Sequence, residues 1–217
     1  MTTPEPALTN ALLKVREAGY VLSEDWPRHG VTAQELGLHE DAGTVRLPAD
    51  VQLHDLRYIQ NSLPQQLSVQ LLDYTDSTNS EMMRRRTKFG GADQLILTEY
   101  QSAGRGRRGK VWLGDYGRNI AMTLGIEFPL NLNALGGLSS VVGLALLQAL
   151  ELEGVDAQLK WPNDVWVKEQ KLAGILVELV PTKIGTLAIV GIGINVDLTN
   201  VQASKIDQSV TTLRRLG

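Results

Sequence analysis

Between residues 157 and 196 the chain passes through four strand-like segments with only two to five residues between neighbours. They are AQLKW (157–161), DVWVK (164–168), KLAGILVELV (171–180) and TLAIVGIGINV (186–196). A parallel crossover needs about a dozen residues or more, whereas a tight turn suffices for an antiparallel pair. Antiparallel neighbours are therefore expected. LSVQLLDY (67–74), QLILTEY (94–100) and NIAMTLGIEF (119–128) add three strand-like runs, and TVRLP (44–48) a short one. Helical texture is sparser. It covers NALLKVREAGYVL (10–22), a short amphipathic helix ending near Gly19, QLHDLRYIQNSL (52–63) stopped by Pro64, and LNALGGLSSVVGLALLQALELEG (132–154). Thr78 and Glu81 have capping-box spacing and predict a further helix to about Lys88. The 132–154 segment is apolar or small nearly all round, which predicts burial against a sheet. Strands clustered around few helices predict an α+β fold: a mixed, largely antiparallel sheet packed by helices.

A length of 217 residues suits one large domain, or one domain with a small appendage. No cysteine is present, which removes disulfides, thiolate catalysis and cysteine–zinc sites and fits a reducing compartment. No run approaches ~18 uninterrupted apolar residues, so no membrane span is expected. MTTPEPALTN lacks the basic-then-apolar order of a secretory signal, and a cytoplasmic location is expected. The net charge of −3 does not favour nucleic acid. Residues 84–118 nevertheless hold nine Lys/Arg against Asp93, Glu99 and Asp115, which suits a small anionic ligand. His29, His39 and His54 lack ligand-like spacing.

The basic region centres on GRGRRGK (104–110), directly after QLILTEY. Glycine lets backbone approach a ligand closely. Arginine presents a planar fork of donors matched to carboxylate and phosphate. Together they predict an anion clamp, with a solvated basic loop as the plain alternative. Gly104, Gly106 and Gly109 also satisfy G-x-G-x-x-G. A dinucleotide fingerprint, however, needs a helix opening at the loop and an acidic residue about 20 positions on. Val111-Trp112-Leu113-Gly114-Asp115-Tyr116-Gly117 has turn chemistry instead. No Gly-Lys-Ser/Thr follows, which excludes a Walker A loop.

Three other segments carry more polar chemistry than packing requires. Asp76-Ser77-Thr78-Asn79 stands at a strand-to-helix turn, where it is either a plain cap or a binding edge. Lys160-Trp161-Pro162-Asn163-Asp164 joins two strands and is a turn or a site. Lys171-Leu172-Ala173-Gly174 and Gly191-Ile192-Gly193-Ile194-Asn195 place glycines within strands. Such glycines mark either close approach by a ligand or neighbouring strand, or a bend. With no Ser-His-Asp set and no cysteine, a protein nucleophile is not expected. Transfer between bound substrates fits better, with Lys/Arg and a Mg²⁺ on Asp164 stabilising charge.

DSTN, YQSAGRGRRGKVW, KWPND, KLAGILVE and GIGIN occur in this order over roughly residues 67–197. The set resembles the biotin–protein ligases closely. The resemblance implies a fold like that of class II aminoacyl-tRNA synthetases. It also implies a two-step reaction: biotin and ATP give biotinyl-5′-AMP and pyrophosphate, then the biotinyl group passes to a lysine of a biotin carboxyl carrier protein. By the same resemblance, Ser77, Thr78, Asn79, Gln101 and Gly174 should hold biotin. Gly104, Arg105, Gly106 and Arg107 should close over biotin and the adenylate, with Lys160 at the carboxylate or phosphate. Arg108, Trp112, Asn163, Asp164, Lys171 and Asn195 should serve ATP, with Trp112 on the adenine and Asp164 on Mg²⁺. Arg107, Lys160 and Lys171 carry the expected catalytic charge.

The resemblance divides the chain into a partial winged-helix-like segment with linker (1–66) and a biotin- and ATP-binding domain (67–217) that is shorter at its C-terminus than in the family. Residues 10–22 resemble a recognition helix without the helices that should precede it, so docking on DNA is not expected. Family members often form homodimers. Three alternatives stay open: a lipoyl or octanoyl transferase, a biotin-responsive regulator, and an inactive truncated remnant.

Overall fold

The computed structural model describes residues 6–28, 30–86 and 93–217. His29 and Lys88, both named above, lie outside them. Helix α1 (Pro6–Ala18) buries Leu8, Ala11, Leu12 and Val15, a stripe at helical spacing. It starts earlier than its sequence suggests and stops at Gly19, which takes φ 80°. The helix thus ends where the sequence places its end, and the next residues form β1 (Tyr20–Leu22). Strands β2 (His39–Asp41) and β3 (Thr44–Arg46) make a hairpin through Ala42 and Gly43, both at positive φ. Two such residues give the turn whose twist matches a two-residue hairpin. The small sheet, in the order β1-β3-β2, closes with α1 over a core that includes Leu36, Val45 and the distant Tyr116.

Helix α2 (Leu56–Ser62) is shorter than expected, because Asp55 caps it by accepting from the backbone N–H groups of Arg57 and Tyr58. Strand β4 (Ser68–Leu72) leads to α3 (Thr78–Arg85). The capping box does not form. Ser77 is the cap residue without a side-chain cap bond, and Glu81 turns instead to Arg84 and Arg85. Next come β5 (Gln94–Thr98), a small hairpin of β6 (Gly104–Arg105) and β7 (Val111–Trp112), and the long β8 (Asn119–Phe128).

The 132–154 segment divides into a 3₁₀ turn, Leu132–Leu135, and helix α4 (Leu138–Leu152), separated by Gly136 and Gly137. The helix packs against the sheet as expected, but on one face only. Gly143, Leu146 and Leu150 are buried on the sheet, whereas Val141 and Leu144 are 61% and 56% exposed. A single helix over a sheet has only one face to bury. Residues 132–152 are long and apolar enough to cross a membrane by length and composition. The continuous helix, at about 1.5 Å per residue, reaches only about 22 Å, short of a ~30 Å hydrocarbon core.

The remaining strands are β9 (Gln158–Lys160), β10 (Asp164–Val167), β11 (Gln170–Pro181) and β12 (Thr186–Asn195), followed by short helices α5 (Asn200–Ala203) and α6 (Leu213–Leu216). The main sheet has seven strands in the order β4-β5-β8-β12-β11-β10-β9. Among the described residues of this sheet only the β4–β5 pair is parallel, and the four last strands pair antiparallel as their short connections require. The α+β expectation is met.

Candidate active site

A cavity of about 320 Å³ lies over β11 and β12. The glycines of those strands make room for it, though not for a ligand directly. A Cβ at Gly193 would stand 2.6 Å from the Trp112 ring, and one at Gly191 would overlap the Asn79 carboxamide. At Gly174 it would meet the Lys171 side chain and Trp112 at 3.3 Å. The floor therefore receives Asn79, Trp112 and Lys171 pressed against backbone.

The polar end is set by the start of α3. Gln101 Oε1 accepts from the backbone N–H of Thr78 at 2.8 Å and its hydroxyl at 3.2 Å. Among the described residues its Nε2 has no acceptor, so it is available to a ligand carbonyl. The Thr123 hydroxyl lies 2.8 Å from that of Thr78 and 2.6 Å from Asn79 Oδ1. Asn79 Nδ2 donates to the Leu176 carbonyl at 3.2 Å and to Glu178 at 2.8 Å. Ser77 lines the same end.

The β6–β7 hairpin covers the cavity. Gly104 pairs with Trp112 and Arg105 with Val111, so the loop opens no helix and the dinucleotide reading is excluded. Gly104 has no room for a side chain, since a Cβ would lie 2.5 Å from the Trp112 carbonyl oxygen. The tip places Arg108 and Gly109 at φ 56° and 75°. Gly104 shapes the hairpin without lining the cavity, whereas Gly106 lines it.

Five cations line the cavity: Arg105, Arg107, Arg108, Lys110 and Lys171. Asp164 is the one carboxylate among its described lining residues. Arg107 donates to Asn163 at 3.2 Å, and Lys171 lies 3.0 Å from Asp164. Asn163 donates to Asp164 at 3.1 Å. Asn195 is buried and donates to the carbonyls of Lys171 and Thr211, so it supports the backbone under the site. Lys160 stands apart. Its ammonium lies over the Trp166 ring, 3.4 Å from the centroid, and it does not line the cavity. Sequence alone could not separate the two lysines, because the register of β9 decides which way Lys160 points.

A Mg²⁺ ion fits only partly. The described residues hold no group of three or more His, Cys, Asp or Glu able to cage a metal. Asp164 Oδ1 already accepts from Lys171 and Asn163, which leaves its second oxygen. Mg²⁺ commonly takes one or two carboxylates with substrate phosphates and water.

Some participants escaped sequence reading. Glu178 sits in the strand-like LVELV and joins Arg105 and Asn79. Ile206, Gln208 and Val210 line the cavity from an irregular segment. That segment docks where Lys171 N–H donates to the Ser209 carbonyl at 3.0 Å. No periodicity marks it.

Behind Gln101 lies a buried ionic node. Arg16 donates to Asp73 at 2.5 Å and to Glu99 at 2.6 Å, and His54 Nδ1 lies 2.7 Å from Glu99. Burial opposes ionisation of Glu99, but the hydrogen bonds and charges of His54 and Arg16 outweigh it and hold the carboxyl below its ordinary range.

Residues 71–195 match the model of the biotin/lipoate A/B protein ligase family. The chain belongs to this family. It is 37% identical over 174 residues to the bifunctional ligase/repressor BirA of Escherichia coli (strain K12), covering 79% of this chain and 53% of that protein. It is 43% identical over 129 residues to the biotin–[acetyl-CoA-carboxylase] ligase of Paracoccus denitrificans, covering 58% and 53%. The chain thus spans about half the length of these curated relatives. Among solved structures, the biotin protein ligase of Aquifex aeolicus in complex with biotin and ATP aligns with TM-score 0.54 at 31% identity, covering 69% of this chain and 60% of that one. The family's fold is the class II aminoacyl-tRNA synthetase-like one expected from the motifs.

Proposed function

We propose that the chain carries the site of a biotin–protein ligase, which joins biotin to ATP as biotinyl-5′-AMP and passes the biotinyl group to a lysine of a carboxyl carrier protein. The observation that carries the reading is the pairing of a uncharged polar end with a cationic middle in one cavity. Thr78 and Gln101 form the first; Arg105, Arg107, Arg108, Lys110 and Lys171 surround the second. A neutral cyclic urea with a carboxylate tail has that polarity. Ser77, Thr78, Asn79 and Gln101 hold the ureido end, and Gln101 Nε2 donates to its carbonyl. Gly174 and Gly193 leave room for the Trp112 ring on the strands, where it is offered to the adenine.

In the first step a carboxylate oxygen bonds to the α-phosphorus and pyrophosphate leaves. Bringing two anions together is the obstacle, and Lys171 and Arg107 offset their charge at no cost of reorganisation. Lys171, which borders the cavity, takes the role at the carboxylate and phosphate that the resemblance assigns to Lys160. Arg108, Asn163 and Asn195 serve the nucleotide side. Mg²⁺, carried by the phosphates and touching the open oxygen of Asp164, would neutralise the pyrophosphate. In the second step a carrier lysine attacks the acyl carbon and AMP leaves. The hairpin excludes water from the mixed anhydride meanwhile.

Residues 1–66 are taken as a winged-helix-like segment and linker, and 67–217 as the ligand-binding part. Arg16, on the helix that resembles a DNA-reading one, is committed to Asp73 and Glu99, which supports a scaffold role for it over phosphate contact. Calorimetric titration with biotin and with lipoate tests the substrate class. Biotin binding with no heat from lipoate supports the ligase; the reverse supports the lipoyl transferase.

A further inference from the structure

The β6–β7 hairpin forms its own two-stranded sheet and shares no backbone ladder with the seven-stranded sheet beneath it. Side chains must therefore decide whether it lies over the cavity or swings away. Trp112 rests on Gly193 at its base. Further out, Arg107 gives one hydrogen bond to the uncharged Asn163 carboxamide. The strongest tie is Arg105. Its Nη1 and Nη2 donate to the two oxygens of Glu178 on β11, at 3.1 Å and 2.6 Å. A two-bond guanidinium–carboxylate pair fixes distance and orientation together.

The same carboxylate has a second commitment. Glu178 Oε2 accepts from Asn79 Nδ2 at 2.8 Å, and the Leu176 carbonyl accepts from the same nitrogen. Those two acceptors force the amide nitrogen toward β11 and its oxygen toward Thr123. Thr123 in turn reaches Thr78, whose N–H and hydroxyl orient Gln101. One polar chain thus runs from the hairpin to the ligand-facing amide of Gln101, and Glu178 is where the two halves meet.

We propose that Glu178 is a positioning residue. It latches the hairpin over the cavity through Arg105 and at the same time fixes the Asn79 amide, so that closure and a correctly set polar end occur together. The ligand whose retention depends on it is a small carboxylic acid with a urea-like head, and the acyl-adenylate made from it; this part rests on the ligase reading. Glu178 itself does not line the cavity and touches no reacting atom.

Arg107, Arg108 and Lys110 make the hairpin its own protease sensor. Without any ligand, Glu178→Gln should raise the rate of tryptic cleavage at these sites on the order of tenfold, because the local opening is no longer opposed by the ion pair. Arg105→Gln, which alters only the hairpin, should do the same even if the strand variant folds poorly. Exchanging the partners, Arg105→Glu with Glu178→Arg, should restore protection. It should not restore affinity for the acid, because Asn79 loses the shorter of its two acceptors and faces a cation in its place. In turnover, Glu178→Gln should raise KM for the acid and the fraction of acyl-adenylate escaping to solution, with KM for ATP within about twofold. Unchanged cleavage in both single variants, with circular dichroism unaltered, would overturn the latch. Exchange variants that regain acid affinity would overturn the link to Asn79. If the wild-type chain makes no acyl-adenylate, the ligase reading fails, while the cleavage rates still decide the latch.

Discussion

Asn79 occupies the space that a side chain at Gly191 would need. The carboxamide oxygen of Asn79, on α3, lies where a Cβ on β12 would project. This packing brings the start of the helix down onto the sheet and sets the depth of the polar end. Gly191→Ala keeps the β12 ladder but displaces Asn79. Biotin affinity should fall at least about tenfold, with a stability cost of about 1–3 kcal/mol for the added methyl. Calorimetry and urea denaturation on the same variant separate the two effects.

The two lysines should behave differently. Lys171 borders the cavity beside Asp164, whereas Lys160 lies over Trp166 outside it. Lys171→Met should lower adenylate formation by about a hundredfold or more, the range for loss of a preorganised charge. Lys160→Met should lower it by less than about tenfold, through packing alone. Single-turnover rates on both variants check this.

The face of α4 that meets the sheet should carry its contribution to stability. Leu146 is 8% exposed and Leu144 56%. Leu146→Ala should cost about 2–5 kcal/mol. Leu144→Ala should stay within about 1 kcal/mol, as surface changes usually do. Denaturation midpoints with equal m-values decide it.

The Glu99 node should make stability depend on pH. Glu99 faces Arg16 and His54, and Asp73 and Tyr116 adjoin it through Arg16 and a 3.0 Å hydrogen bond between them. Its folded pKa lies below the ordinary carboxyl value. A depressed carboxyl stabilises fully above the unfolded pKa, about 4.3, and loses that contribution as pH falls through the folded value. Glu99→Gln should cost about 1–3 kcal/mol at neutral pH, because Arg16 keeps Asp73 but loses its second carboxylate and His54 loses its charged partner. Its deficit against wild type should shrink in acid. A deficit independent of pH would show that the charge on Glu99 is not the source.

Much of this arrangement is legible from the chain. Short connections after residue 156 dictate antiparallel neighbours, and the alternate glycines at 191 and 193 announce close approach. What approaches is less visible. Asn79 and Trp112, distant in sequence, fill the glycine spaces, because tertiary placement decides which group arrives. The apolar run of α4 misleads for a related reason: composition reports what could be buried, and the number of layers decides what is. Glu178 escaped because a carboxylate within a hydrophobic strand has no local signature; its meaning comes from Arg105, 73 positions away. The start of α2 shifted because a single residue, Asp55, overrode the periodic pattern, whereas Gly19 marks the end of α1 in sequence and structure alike.

The most direct measurement incubates the purified chain with biotin, ATP and Mg²⁺ and looks for biotinyl-5′-AMP by mass spectrometry, with the Lys171→Met variant alongside. The account predicts the adenylate from the wild type and its near absence from the variant. No adenylate from a folded wild-type chain, or equal amounts from both, would contradict it.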